Sequence, residues 1–354
     1  MKFEDLTPEL FVTRSQTGRG NRTNSFGDAV AERSAALSDV AVFDVSDRVQ
    51  IEIAGRDRQT FLHNFCSNDI KKLQPDQGCE AFVTNIKGKV VGHIFVFAEM
   101  EALWLESVAG SAATLLPHLE RYVITEDVRM VDRSAEFSEL LLVGPQAALT
   151  LESLGCTLGA LARYGNLTAV DATSLWRSVR RVDWFESPTF LISVPVARHV
   201  EAWQRMVEAG CCPAGTDAFE ALRITAGFPL YGQDITEDHL AQEVGRTALA
   251  ISFTKGCYLG QEPIARIDAM GHVNRLLCRL EFSSGPLPVT GMAVLDKPSA
   301  DGKPIGQITS AAWSLQQRDN DKPAALAYLR SGFTTPGTNV FAAGPDGPVP
   351  GVVR

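Results

Sequence analysis

Apolar residues recur along this chain with two different periods, and the switches between them mark its elements. Val49, Ile51 and Ile53 alternate with Gln50 and Glu52, the two-residue period of a half-buried strand. Gly55 ends that run, and Asp57 is placed to cap a helix carrying Phe61, Leu62 and Phe65 on one face. Ala81–Thr84 and Val90–Phe97 read as strands joined by the turn from Asn85 to Lys89, and Leu103–Glu106 as a third. Leu115, Leu119 and Tyr122 share a helical stripe that Pro117 weakens. Before this block, residues 1–38 are polar and weakly patterned, with one short helix expected from Ser25 to Leu37.

A second block of mixed period begins at Glu139. Leu140–Val143 reads as a strand, Gln146–Leu154 as a helix, and Leu175–Val182 and Phe190–Val194 as strands. A helix over Val200–Ala209 stops at Gly210, Thr216 is expected to cap the next, and Gly227 with Pro229 ends that one. After Arg275 the texture changes to short apolar segments between Gly/Pro turns: Leu276–Phe282, Ala293–Leu295, Ile305–Ala312, Ala325–Leu329 and Asn339–Ala342. That spacing predicts a small antiparallel β-barrel or sandwich. The expected organisation is an N-terminal extension (1–38), a bipartite αβ domain (39–138 and 139–272) and a C-terminal β-barrel (273–354), an α+β protein.

Composition narrows the function classes. The 354 residues are 45% hydrophobic and 21% charged, ordinary for a globular protein of two or three domains. Thirty-three basic against forty-two acidic residues leave a net charge of −9, so neither nucleic acid nor a membrane surface is expected as a direct partner. The acidic residues Glu4, Asp5 and Glu9 near the start argue against a targeting segment, and a cytoplasmic location is expected. Seven cysteines without a C-x-x-C pair, and six histidines without zinc-like spacing, fit reduced thiols and no metal site.

The stretch Ile251–Arg266 carries the densest candidate chemistry. Gly256 and Gly260 permit a tight backbone path, and Lys255, two residues before Cys257, can favour a thiolate if both face one pocket. Gln261 and Glu262 add an amide and a carboxylate, and Arg266 a cation. Taken alone, a glycine turn around a small packed cysteine explains the same residues, and no histidine is near in sequence to serve as a base.

The octet from Lys255 to Glu262 resembles the hallmark loop of YgfZ-type folate-binding proteins, a branch of the glycine-cleavage T-protein (aminomethyltransferase) superfamily that supports iron–sulfur enzymes. Phe43–Arg48 resembles the family's strand-entry motif, and Gly55–Asn64 with Ser67–Ile70 its first helix and Thr-Asn-Asp-Ile turn. Thr84–Lys89 is similar to its Gly-Lys hairpin, Leu222–Ile235 to the stretch preceding the loop, and Gln242-Glu243 to a further turn. Together these span roughly residues 40–330.

The resemblance implies a T-protein-like ring of two αβ subdomains with a C-terminal antiparallel barrel, binding tetrahydrofolate or a one-carbon derivative centrally. It implies Cys257 with Lys255 as the reactive pair, and Asn68, Asp69, Arg223, Tyr231, Gln261, Glu262 and Arg266 as folate contacts. Arg223 and Arg266 would meet the carboxylates of the folate tail, and each is equally readable as an ion-pair arginine. Asn68 and Asp69 also read as a helix-ending Asx turn. Two departures bear on chemistry. Where the methyltransferase branch has paired aspartates after the hairpin, this chain has Gly92 and His93, and Leu191 stands where that branch has a pterin-binding glutamate. Standard glycine-cleavage transfer is therefore not expected. The leading reading is an accessory factor in iron–sulfur cluster assembly or repair, supporting tRNA modification indirectly, with iron–sulfur client enzymes or assembly factors as partners. The alternatives are a folate-dependent aminomethyl or methyl transferase and a non-catalytic scaffold.

Overall fold

The computed structural model describes residues 23–169, 174–299, 301–316, 321–345 and 347–354. Residues 1–22, most of the expected N-terminal extension, lie outside them.

Helix α1 (Ala29–Ser38) starts later than the pattern suggests, because the Asp28 carboxylate accepts the Val30 and Ala31 N–H groups and sets the first turn there. The neighbouring Glu32 is buried, and its carboxylate accepts from the Phe26 and Gly215 N–H groups, tying this helix to a distant one.

Two sheets make the αβ part. In chain order their strands are β1 (Ala41–Asp44), β2 (Val49–Ala54), β3 (Gly78–Thr84), β4 (Val90–Ala98), β5 (Ala102–Ser107), β6 (Arg129–Asp132), β7 (Phe137–Val143), β8 (Asn166–Thr168), β9 (Ser178–Arg181), β10 (Thr189–Pro195) and β11 (Cys212–Ala214). The five-stranded sheet runs β3-β4-β5-β2-β6 and the six-stranded one β11-β1-β7-β10-β9-β8. Strand β1 thus leaves its sequence neighbour β2 to pair antiparallel with β7, Val42 opposite Leu142, and parallel with β11. All nine residues of β4 are buried, which is why that strand reads as a continuous apolar run rather than an alternation.

Helices α2 (Arg58–Phe65) and α3 (Ala112–Glu120) cover the five-stranded sheet, with Phe61, Leu62, Leu115 and Leu119 in one core cluster with Ile51, Ile53 and Leu105. Pro117 does not break α3, whose Leu115 and Leu119 remain fully buried. Asp57 sits at the N-terminus of α2 without capping it; its carboxylate accepts the Asp127 N–H instead. Helices α4 (Ala147–Ser153) and α5 (His199–Glu208) serve the six-stranded sheet. In α6 (Thr216–Ala226) the capping position belongs to Gly215 rather than Thr216, and Gly227 closes the helix in the left-handed conformation. Two short helices follow, α7 (Thr247–Ala250) and α8 (Gln261–Met270).

The remaining strands, β12 (Arg275–Phe282), β13 (Ala293–Leu295), β14 (Pro304–Trp313), β15 (Pro323–Arg330), β16 (Asn339–Gly344) and β17 (Gly347–Val353), close into an antiparallel barrel in the order β12-β15-β14-β13-β16-β17. The pattern of residues gives the first five. It misses β17 because Pro348 and Pro350 lie in it; one strand period apart, they give up N–H groups on the same side. No helix among the described residues is long and apolar enough to cross a membrane.

Candidate functional site

Three side chains from other elements converge on one carboxylate. Glu80 of β3 is fully buried. Arg246, just before α7, grips it with one edge of its guanidinium, Nη2 2.6 Å from Oε2 and Nε bonded to Oε1. The Tyr164 hydroxyl donates to Oε2 at 2.7 Å, and His93 Nε2 of the adjacent strand lies 2.7 Å from Oε1. Burial alone raises a carboxyl, but the bonds from Arg246 and His93 outweigh it and hold Glu80 well below the usual range. Burial also lowers His93, against the opposing pull of Glu80. A neutral His93 facing an ionised carboxylate must carry its proton on Nε2, which leaves Nδ1 as an acceptor. Burial, and then the Glu80 charge, push the Tyr164 phenol up, so it stays a donor.

Aromatic planes wall this node. Trp184 and Phe228 stack at 5.2 Å with 21° between their rings, Phe95 stands 5.2 Å from Trp184, and His93 lies 6.2 Å from Phe228. The Arg48 guanidinium covers Trp184 at 4.4 Å and that of Arg246 lies 5.2 Å from Phe228. Within this wall the buried Trp184 Nε1 has no hydrogen-bond partner among the described residues. An unanswered buried donor beside stacked rings suits a flat ligand that brings an acceptor.

A second charged cluster lies where the two sheets face each other. Arg180 of β9 bonds Glu106 of β5 and stands 3.7 Å from Glu139 of β7, while Arg48 Nε is 3.8 Å from the same Glu139. Burial, then the neighbouring Glu106, raise the Glu139 carboxyl well above the ordinary range.

The residues singled out from sequence divide into three groups. Lys255, Asn68 and Asp69 gather at the C-terminal end of α2. The Lys255 ammonium donates to the backbone carbonyls of Cys66 (2.6 Å), Asn68 (2.8 Å) and His63, which uses all three of its N–H groups to satisfy a helix end. It is buried, and burial lowers its pKa. Lys255 therefore does not serve the Cys257 thiol as expected; it is a structural cap. Asn68 is likewise engaged with the backbone, its amide donating to the Glu80 and Leu249 carbonyls at 2.8 Å each. Asp69 pairs with Lys72 at 2.8 Å and with His63 at 3.3 Å.

Arg223 is elsewhere and is fully buried. Its guanidinium forks Glu220 and bonds Asp234 at 2.9 Å, and Asp234 in turn accepts the Thr309 and Ser310 hydroxyls of β14. That network fastens α6 to the barrel and keeps the guanidinium out of reach of solvent, so the tail-binding role expected of Arg223 gives way to a structural one. Tyr231 is half-buried against the cluster of Phe82, Val90 and Tyr258, where burial and Glu237 push its phenol up to about 12.

The third group is open to solvent. Cys257, Glu262 and Arg266 are exposed, and Gln261 accepts the Tyr258 N–H at 3.3 Å. Gly260 sets the loop's path at φ +81°, and a Cβ there would lie 2.4 Å from the Asn85 carbonyl oxygen, so the loop lies against the β3–β4 hairpin only because this residue is glycine.

The departures also have a structural form. A Cβ at Gly92 would meet Leu115 at 2.5 Å, so position 92 faces α3 and is filled from that side. Leu191 is fully buried in the cluster that holds Phe95, Trp184 and Phe228. Sequence reading missed Glu80, Tyr164 and Arg246 altogether. Tyr164 adopts φ +61°, and Tyr164 and Arg246 reach Glu80 across 84 and 166 residues.

The sequence profile of the GCVT N-terminal domain family matches residues 6–255. An aminomethyltransferase of Thermoanaerobacter pseudethanolicus is 27% identical over 321 residues, covering 89% of this chain and 85% of that protein. A putative chloroplastic transferase of Arabidopsis thaliana is 26% identical over 309 residues, covering 86% and 69% respectively. The crystal structure of the glycine cleavage system aminomethyltransferase T from Bartonella henselae superposes with a TM-score of 0.84 at 19% identity, over 98% of this chain and 96% of that one, and so shares its fold. With a profile match over most of its length, this chain belongs to the GCVT N-terminal domain family of the aminomethyltransferase superfamily.

Proposed function

We propose that this chain binds a reduced folate, tetrahydrofolate or a one-carbon derivative of it, at the aromatic-walled Glu80 node. In this reading it is a YgfZ-type accessory factor for iron–sulfur cluster assembly or repair, with Cys257 as its working thiol. The observation that carries the reading is the state of the acids. Position 92 is closed by Leu115, Leu191 is buried hydrocarbon, and Glu80 is locked by Arg246, His93 and Tyr164. The node can hold a flat heteroaromatic edge through its stacked rings and the unpartnered Trp184 N–H, but its carboxylate is too strongly held to accept a proton near neutral pH. Arg266, exposed and without an ion pair among the described residues, remains the candidate for the tail carboxylates.

Calorimetric titration with tetrahydrofolate tests the binding, and the activity of iron–sulfur enzymes in cells carrying Cys257→Ala tests the accessory role. Binding together with lost enzyme activity supports the reading; no binding overturns its folate part, and unchanged activity its accessory part. The competing reading, a folate-dependent transferase, is favoured by the names of the curated relatives. Methylenetetrahydrofolate formation from an aminomethyl-lipoyl carrier would establish it instead.

A further inference from the structure

A cavity of about 530 Å³ opens where the β3–β4 hairpin meets the barrel, and three cations, Lys89, Arg275 and Arg330, line it. Arg275 begins β12 and Arg330 ends β15, and the two stand directly opposite each other in the antiparallel ladder. Their side chains therefore leave the same face of the barrel, and like charges so placed repel. Arg275 is partly answered: its Nε lies 3.1 Å from the buried Glu243 carboxylate, and its Nη2 donates to the Asp238 carbonyl at 2.9 Å. Lys89 Nζ donates to that same carbonyl at 2.7 Å, which leaves the ammonium two further N–H groups. One backbone oxygen thus draws a lysine of the hairpin and an arginine of the barrel to a single point. The next residue, His239, stacks on Tyr328 of β15 at 4.1 Å, and the Arg275 guanidinium lies 5.3 Å from that same ring. Arg330 is exposed and makes no ion pair among the described residues.

We propose that this cavity binds a small phosphate monoester that carries hydroxyl groups, of the sugar-phosphate class. A phosphate dianion between Lys89, Arg275 and Arg330 supplies the counter-charge that the opposed arginines lack, and it accepts from their unused N–H groups. The chain as a whole carries a net charge of −9, so the attraction for an anion is local to this cluster. A bare anion does not account for the rest of the wall. The Asp238 carboxylate, exposed and without a hydrogen bond or ion pair among the described residues, repels an anion but accepts from a hydroxyl. Asn274 and Ser331 add neutral polar groups. Leu240 is the one hydrocarbon side chain among the lining residues and no aromatic ring is among them, which disfavours a nucleobase.

Calorimetric titration of the intact protein in phosphate-free buffer with glucose 6-phosphate, inorganic phosphate and glucose tests it. Glucose 6-phosphate is expected to bind, inorganic phosphate to bind more weakly, and glucose to give no heat. Arg330→Ala removes an exposed side chain and should weaken glucose 6-phosphate about tenfold or more, the loss of a charge-assisted contact. Asp238→Ala should narrow the ratio between the two phosphates, because it takes away the acceptor for a hydroxyl and the repulsion of the anion together. In thermal unfolding, inorganic phosphate should raise the midpoint of the native protein more than that of Arg330→Ala. No heat from either phosphate at about 10 mM, well beyond a millimolar site, would overturn the proposal. So would native affinity in Arg330→Ala, and so would equal affinities of the native protein for the two phosphates.

Discussion

Arg246 reaches across 166 residues to fork Glu80, and the two side chains form the ion pair at the centre of the node. The arginine is 13% exposed and the glutamate not at all. Removing the arginine leaves a carboxylate in a nonpolar setting with only a neutral imidazole and a phenol for company.

Arg246→Met is therefore expected to lower unfolding stability by about 3–5 kcal/mol, the cost of an unpaired buried charge. Arg246→Lys should recover only part, because an ammonium cannot fork a carboxylate. Urea unfolding of the three proteins at pH 7 measures the difference, and equal midpoints for Met and native would show that Glu80 is not held by this pair.

Glu139 gives the pH dependence its sign. Burial and Glu106 raise its carboxyl well above the ordinary 4.5, so the folded state keeps a proton that the unfolded chain releases. Across the window from that ordinary value up to the raised one, stability falls as pH rises. Glu139→Gln mimics the protonated form at every pH, and it should raise the unfolding midpoint more at pH 8 than at pH 5. A gain that is the same at both pH values would contradict the assignment.

Gly92→Asp restores a carboxylate where the methyltransferase branch carries one. Its Cβ must displace Leu115 from a 2.5 Å approach, and overpacking of this kind costs about 1–3 kcal/mol. The variant should be less stable and form no methylenetetrahydrofolate; product formation above the native background would show that the position opens onto the ligand after all.

Lys255→Met removes a buried donor from three carbonyls at the end of α2. Each buried group left unsatisfied costs about 1–3 kcal/mol, so this variant should unfold at clearly lower denaturant. Its Cys257 alkylation rate per folded molecule should stay within about threefold of native. A tenfold slower reaction at unchanged stability would return Lys255 to the thiol.

Much of the fold was legible because its strands and helices announce themselves locally. Val49, Ile51 and Ile53 alternate as β2 does, and the barrel strands β12 to β16 lie where Gly/Pro turns bracket short apolar runs. The candidate site was legible only as a loop. Glu80 looks like the polar half of an alternation and Arg246 like a surface charge beside a glycine; nothing within ten residues of either predicts the other. The motif that drew attention to Lys255 was real as a motif, but its lysine is occupied by a helix end more than 180 residues away. Short-range spacing cannot show which way a side chain turns when its partners arrive from a distant part of the chain.

The placement of strand β1 has a consequence for how the protein is made. Val42 pairs with Leu142 and, on its other side, with Pro213, while the adjoining β2 belongs to the other sheet. As the polypeptide leaves the ribosome, β1 emerges early and waits, both its edges open, until the segment through Val143 has followed. The second partner, β11, comes still later. A fragment ending at residue 138 would keep that strand permanently unmatched and ready to pair with another copy, so the two αβ halves cannot be cut apart and expressed as separate working pieces.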